Sequence, residues 1–231
     1  MRRQQFKSEQ SYIDWLKSKG CRFYAPMDEE HGTDELIQGW RFSVREGCSC
    51  VWDSTLQAYK VTGNSSSYSS AMWSGKSIQS QNVGVLAVNT TYTWLADFRL
   101  TNNSSWASGF MYGGSDDFLS NKSGESSSRN TIAYTAQEFY TRNGKPCSLD
   151  NWYSHLNQRN TSYNKHCDIT SQGITLLESG TDSTWRFVYN QNCDTHVSLM
   201  AGCSGYIRNL YIFATALSDE DIMTIYRHDH R

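Results

Sequence analysis

Thiols beside imidazoles are the most reactive neighbours in this chain. Cys193 lies close to His196, and His166 immediately precedes Cys167. A thiolate next to an imidazole is a usable nucleophile and base, provided the fold brings the two within hydrogen-bond reach. No local signature surrounds either pair, so small apolar cysteines in a β core and solvated histidines are the simpler expectation. The same residues with Cys203 could in principle supply a tetrahedral zinc site, and Cys48-x-Cys50 half of another, but their spacings match no common zinc pattern. The terminal His-Asp-His-Arg run from His228 is expected to fray rather than coordinate. A different chemistry suits the aromatic residues, which make up 13% of the chain with 8 Trp and 14 Tyr, more than a core of this size should absorb. An aromatic ring accepts the apolar face of a pyranose while neighbouring amides and carboxylates take the hydroxyls. Two clusters combine those types: Trp106, Tyr112, Asp116, Asp117 and Asn121 in one loop region, and Trp152, Tyr153 and His155 in another. For any one of these rings, packing under a long loop or in a subunit interface is an equal alternative.

The elements that position such residues read as strands. From Tyr206 to Phe213 the alternation is apolar on both faces, with Tyr206, Leu210 and Ile212 on one side and Ile207, Tyr211 and Phe213 on the other. Such a strand lies inside a sandwich, not on its edge. Ser218 then caps a helix, Asp221 can close a capping box, and Leu217 can staple onto Ile222; losing that cap should cost about 1 kcal/mol. In Thr91 to Leu100 the residues Tyr92, Trp94, Ala96, Phe98 and Leu100 share one side, which must be core. Further strands are expected in WRFSVREGCSCVWD, QAYKVTG, AMWSGKSIQ, VGVLAV, around Phe110 to Gly113 and in TWRFVYN, with Asn143-Gly144 as a hairpin turn. Ahead of them, Ser8 to Lys19 reads as an amphipathic helix with Tyr12, Trp15 and Leu16 on one face and Gly20 as its stop. That helix either folds back over an open end of the core or docks onto a partner subunit.

Three of these segments carry a family resemblance. The run from Gly205 to Tyr226, centred on ALSDEDI, resembles the closing signature of concanavalin A-like lectin/glucanase domains, specifically the laminin-G-like jelly rolls. Phe23 to Gly39, FYAPMDEEHGTDELIQG, is similar to the family's first strand and acidic turn, and TYTWLADFRL to its central strand. The resemblance implies an all-β, two-sheet antiparallel jelly-roll sandwich over residues 21–231, with residues 1–20 as a helical extension and a short C-terminal helical turn. It also implies that the first and last strands are neighbours. The Asn-Gly turn stands further from the C-terminus than the resemblance implies, so either that correspondence is wrong or an insertion around Cys147 to Thr170 lengthens the domain.

Retaining glucanases of this superfamily place two carboxylates on one strand, in a Glu-x-Asp-x-x-Glu pattern, because acid and nucleophile must flank the glycosidic bond about 5 Å apart. No segment here carries that pattern, and the adjacent Asp116 and Asp117 would point to opposite faces of a strand. No catalytic residue is assigned, and the chain is expected not to be an enzyme. The resemblance implies calcium as the only candidate cofactor, held by Asp116 and Asp117 or by Asp28.

Composition narrows the class further. The 231 residues suit one sandwich domain. With 21 basic and 23 acidic residues scattered to a net charge of -2, no footprint for nucleic acid or anionic membrane is present. No apolar stretch spans a bilayer, and the N-terminus lacks the apolar core of a secretory signal. The seven cysteines are odd in number and without framework spacing, so reduced thiols are expected. These observations lead to a lectin-like carbohydrate-binding or adhesion protein, as a bacteriophage fibre or decoration protein contacting host-surface glycans. Virion subunits would be engaged through Tyr12, Trp15 and Leu16, and a homo-oligomer is expected. The alternatives are a purely structural virion protein, or a bacterial surface glycan-binding protein if a signal was trimmed.

Overall fold

A computed structural model describes residues 6–63, 70–74, 91–103, 108–113, 133–135, 138–140, 149–160, 163–180, 197–201 and 203–230. In chain order the elements are α1 (Glu9–Ser18), β1 (Cys21–Ala25), β2 (Phe42–Val44), β3 (Ser49–Asp53), β4 (Ala58–Thr62), β5 (Ser70–Ser74), β6 (Tyr92–Asn103) and β7 (Ser108–Gly113). There follow β8 (Ala133–Thr135), β9 (Glu138–Tyr140), β10 (Tyr153–Arg159), β11 (Asn164–Thr170), β12 (Gly173–Gly180), β13 (Val197–Ala201), β14 (Cys203–Phe213) and α2 (Asp219–Asp229). The strands form two antiparallel sheets. The larger runs β12-β11-β10-β6-β14-β4-β3 with β1 also on β14, and the smaller runs β2-β5-β13-β7-β8-β9. The fold is therefore an all-β two-sheet sandwich with one N-terminal and one C-terminal helix.

Apolar alternation explains the first core. Tyr92, Trp94, Ala96, Phe98 and Leu100 of β6 all face the smaller sheet, where they meet Phe42, Met72 and Leu199. The opposite face of the larger sheet is covered too. Leu95, Leu156, Cys167, Tyr211 and Phe213 pack there against Tyr12, Ile13 and Leu16 of α1 and Ile222 and Ile225 of α2. Strands β10 and β11 fall within the stretch from Cys147 to Thr170 where an insertion was one of the two expectations, and with β12 beyond it they widen the larger sheet past β6.

The two chain ends meet as expected. Phe23 pairs with Ile212, Tyr24 with Tyr211 and Ala25 with Leu210. Along its earlier half β14 pairs with β4, and along its whole length with β6. The simple alternation read from the sequence fails inside this strand. A bulge between Arg208 and Leu210, with Asn209 at φ 53°, shifts the phase, so Ile207 and Leu210 both enter the inter-sheet core. A second irregularity lies at Gly205, where an added Cβ would collide with the Arg99 carbonyl oxygen and approach Leu100 Cα to 2.9 Å.

The helices close as the sequence predicts, with two corrections. Ser8 caps α1, and Gly20, at φ 85°, ends its exit turn. Ser218 accepts the Asp221 N–H, but the Asp221 carboxylate takes the Ser218 hydroxyl at 2.7 Å and Lys19 at 2.8 Å rather than completing a capping box. The tail does not fray at His228. Helix α2 carries His228 onto Tyr12, with ring centroids 3.6 Å apart, and sets Asp229 to accept from Tyr211 Oη at 2.8 Å. Tyr211 and Tyr12 hydroxyls are 3.1 Å apart, so one buried chain of hydrogen bonds ties α1, β14 and α2. Tyr12 and Leu16 are thus fully enclosed within the chain's own core, and only Trp15 of the expected docking face keeps partial exposure. No described helix is long and apolar enough to cross a membrane.

Two outcomes follow for stability. Gly205→Ala should destabilise the fold by about 2 kcal/mol or more, since the clash is with backbone that cannot swing aside; urea denaturation measures it. Tyr211→Phe removes a buried donor from the Asp229 carboxylate and should cost about 1–3 kcal/mol in the same assay. Unchanged midpoints would show that neither contact matters.

Candidate functional site

Pleating separates residues that are adjacent in sequence, and it divides the cluster expected around Trp152. The outer face of the larger sheet, which also carries the helices, receives Trp152. Its ring lies under the Arg208 guanidinium, 4.3 Å from Cζ to centroid, and 6.4 Å from the Tyr206 ring. Tyr153 begins β10 and points to the inter-sheet core, 6.0 Å from Phe98. His155 follows it onto that inner face and is 1% exposed. The two belong to a strand rather than to a loop, so these three residues do not form one surface.

On the inner face His155 Nδ1 lies 3.2 Å from Asp168 Oδ1, and its Nε2 lies 3.3 Å from His166 Nδ1. Burial first, and then the neighbouring His155, hold the His166 imidazole well below the usual histidine range. Cys167, the next residue, faces the other way into the helix-side core, where burial pushes its thiol up to about 11. His166 and Cys167 therefore cannot act as a nucleophile and base on each other. Burial likewise raises Cys50 to about 12.

The outer face holds a different assembly. Cross-strand register sets Val51 opposite Lys60, Lys60 opposite Tyr206 and Tyr206 opposite Arg99, a row across β3, β4, β14 and β6. Residues directly opposite share a face, so this row is common to all four strands. Arg99 lies over the Tyr206 ring at 5.5 Å and donates from Nη2 to Asp150 at 3.1 Å. The next register pair is Arg208 with Asp97. The bulge at Asn209 makes that pair special, because it turns Asn209 toward the same side, and Asn209 Nδ2 donates to Asp97 Oδ2 at 3.1 Å.

Asp97 lies at the floor of a cleft between the sheet and the end of α2, lined also by Ser154, Tyr226, Asp229 and His230. His230 Nε2 approaches its carboxylate at 3.4 Å and Arg208 Nε at 3.7 Å. Burial, and then the charge of Asp229, hold the Asp97 carboxyl above the usual range, against the opposing pull of His230. The cleft has space for little more than a water-sized group, which is too small for a sugar ring. Asp97 and Asp229 are nearly enclosed and already engaged by neighbours, unlike an acid pair flanking a glycosidic bond.

The remaining expectations fall as follows. Tyr112 lies in the backbone of β7, and its side chain lies outside the described residues, as do Trp106, Asp116, Asp117 and Asn121. So do Cys193, His196, the Asn143-Gly144 turn and the TWRFVYN and VGVLAV segments. Asp28 accepts from the His31 N–H at 2.8 Å and meets its ring Nδ1 at 2.9 Å. Among the described residues no three His, Cys, Asp or Glu side chains are grouped to hold a metal ion. Sequence reasoning missed Arg99, Arg208, Tyr206 and Lys60. The signal available was Asp97 and Arg99 in β6 and Arg208 in β14, charges in strands otherwise largely apolar on both faces.

No protein-family model matches this sequence, and no curated protein does. Solved structures share its architecture. The chain is similar to the binding domain of botulinum neurotoxin DC in complex with rat synaptotagmin II, at 11% identity and TM-score 0.60, over 91% of this chain and 52% of that one. It is also similar to a botulinum neurotoxin type C structure concerned with cell entry through two ganglioside molecules, at 10% identity and TM-score 0.61, over 94% and 53%. The sialidase of Trypanosoma rangeli matches at 11% identity and TM-score 0.55, over 90% and 32%. The chain thus spans about half the length of the neurotoxin structures and a third of the sialidase. Likeness at this identity shows a shared β-sandwich fold.

The raised Asp97 has a testable sign. Its protonated form is favoured by folding, so ionisation costs stability as pH rises from the unfolded value near 3.8 through the folded one. Asp97→Asn should therefore melt higher than the parent at pH 7, with the gap closing below about pH 4. A variant that melts lower at pH 7 would show that the carboxylate's ion pairs outweigh its burial.

Proposed function

We propose that this chain is a non-catalytic, lectin-like carbohydrate-binding protein of the concanavalin A-like class, with the laminin-G-like closing strand and helix as its nearest pattern. The observation that carries the reading is the outer-face cluster of Trp152, Tyr206, Arg99 and Arg208. It sets aromatic surface beside hydrogen-bonding groups on a rigid sheet, and both arginines and Trp152 keep partial exposure. The neighbours support it at the level of fold. A ganglioside requirement belongs to the neurotoxin, about half of which has no counterpart in this chain.

No cleavage is proposed. Hydrolysis needs paired carboxyls open to the substrate, whereas Asp97 and Asp229 are closed in beneath α2. Saccharide recognition here rests on side chains held in place by strand register, so it demands no rearrangement of the sheet.

A glycan array probed with the intact chain tests the reading, together with Trp152→Ala. The expected result is retention of a restricted set of saccharides, with affinity at least about tenfold weaker in the variant and an unchanged melting temperature. An array without hits would contradict carbohydrate binding and leave the purely structural virion role, to be sought by mass spectrometry of purified particles.

A further inference from the structure

We infer that the outer face of the larger sheet binds a carboxylate-bearing saccharide, gripped by the guanidinium groups of Arg99 and Arg208. The inference rests on the carbohydrate-binding reading and specifies its ligand class.

Cation balance is the first argument. Lys60, Arg99 and Arg208 stand on one face in adjacent register positions, and the exposed carboxylate among them is that of Asp150. Asp97 and Asp229 are the other nearby acids, and both are nearly enclosed in the cleft under the end of α2. The nearer Asp97 oxygen stands 3.7 Å from Arg208 Nε, beyond hydrogen-bond distance, and Asp97 already accepts from Asn209. Of these three acids only Asp150 is open to solvent, so the cations are less compensated at the surface than beneath it.

Donor geometry is the second. Arg208 Cζ lies 4.3 Å over the Trp152 ring, and Arg99 Cζ 5.5 Å over that of Tyr206. A guanidinium held over a ring keeps its N–H groups free at the edge, where a carboxylate can accept two of them in parallel. Among the described residues no acceptor is within hydrogen-bond distance of Arg208: the nearest carboxylate oxygen, on Asp97, is 3.7 Å from Nε. The Nε atoms of both arginines are enclosed and without acceptors, so a ligand is met by the Nη ends. The side chains are 24% and 28% exposed, which leaves part of each open from outside the sheet. A half-buried cation whose Nη groups meet no acceptor among the described residues is costly to fold around, and a planar anion supplies what they lack.

A neutral sugar would use the aromatic faces, but Arg208 already occupies one face of Trp152. The ring serves to orient the arginine, and the arginine meets the ligand.

Isothermal titration of the full chain with polygalacturonate, its fully methyl-esterified form, hyaluronan and dextran sulfate tests the inference. The expected result is affinity at least about tenfold higher for the two carboxylate polymers than for the ester. Arg208→Lys and Arg99→Lys keep the charge but lose the planar fork, and each should erase most of that preference while the melting temperature holds. Equal affinity for acid and ester would overturn the carboxylate assignment while leaving carbohydrate binding intact. Preference for dextran sulfate, or full affinity in the double lysine variant, would overturn it equally. Absence of binding to every saccharide, here and on the array, would remove the reading beneath it as well.

Discussion

The placement of β14 between β6 on one edge and β4 and β1 on the other is the constraint from which the rest follows. Nearly every residue of this strand is buried, so its backbone must be paired on both edges and its side chains matched on both faces. Pairing with β1 brings the beginning of the chain to its end. The helix before β1 and the helix after β14 are thereby delivered to the same outer face, where Tyr12, Tyr211 and Asp229 join them through hydrogen bonds. Without that pairing the helix-side core has no reason to form.

Two departures from regular strand geometry decide which side chains β14 presents on each face. Gly205 lets the backbone approach β6 where no side chain fits. The bulge at Asn209 returns Leu210 to the inter-sheet core while leaving Arg208 and Asn209 on the outer side. A strand with strict alternation would have preserved the apolar pattern and lost the polar cluster around Asp97. The bulge therefore divides β14 into an earlier half that presents Tyr206 and Arg208 and a later half that seats Tyr211 and Phe213 against the helices.

Much of the architecture was legible because it rests on period and capping. Tyr92 through Leu100 named their own face, Ser8 and Ser218 marked two helix starts, and Phe23 and Ile212 proved to be register partners. The phase change in β14 was not legible, since Ile207 and Leu210 both suit either side and only the paired backbone shows where the extra residue goes. The C-terminal His-Asp-His was misread as a solvated tail for a related reason: its partners, Tyr12 and Asp97, are remote in sequence. The candidate site was the least legible part. Trp152 could be noticed as an aromatic near polar residues, but its partners Tyr206 and Arg208 become neighbours only through the β10–β6 and β6–β14 registers together. Composition signalled surplus rings; topology decided which of them stack with arginine.

The face built on β6 and β14, not the loop ends of the sandwich, is the central claim, and chemical-shift mapping of the labelled chain during titration with a retained saccharide tests it most directly. The account predicts the largest perturbations at Arg99, Trp152, Tyr206 and Arg208. Perturbations confined to the segment from Trp106 to Asn121, with those four signals unmoved, would contradict it.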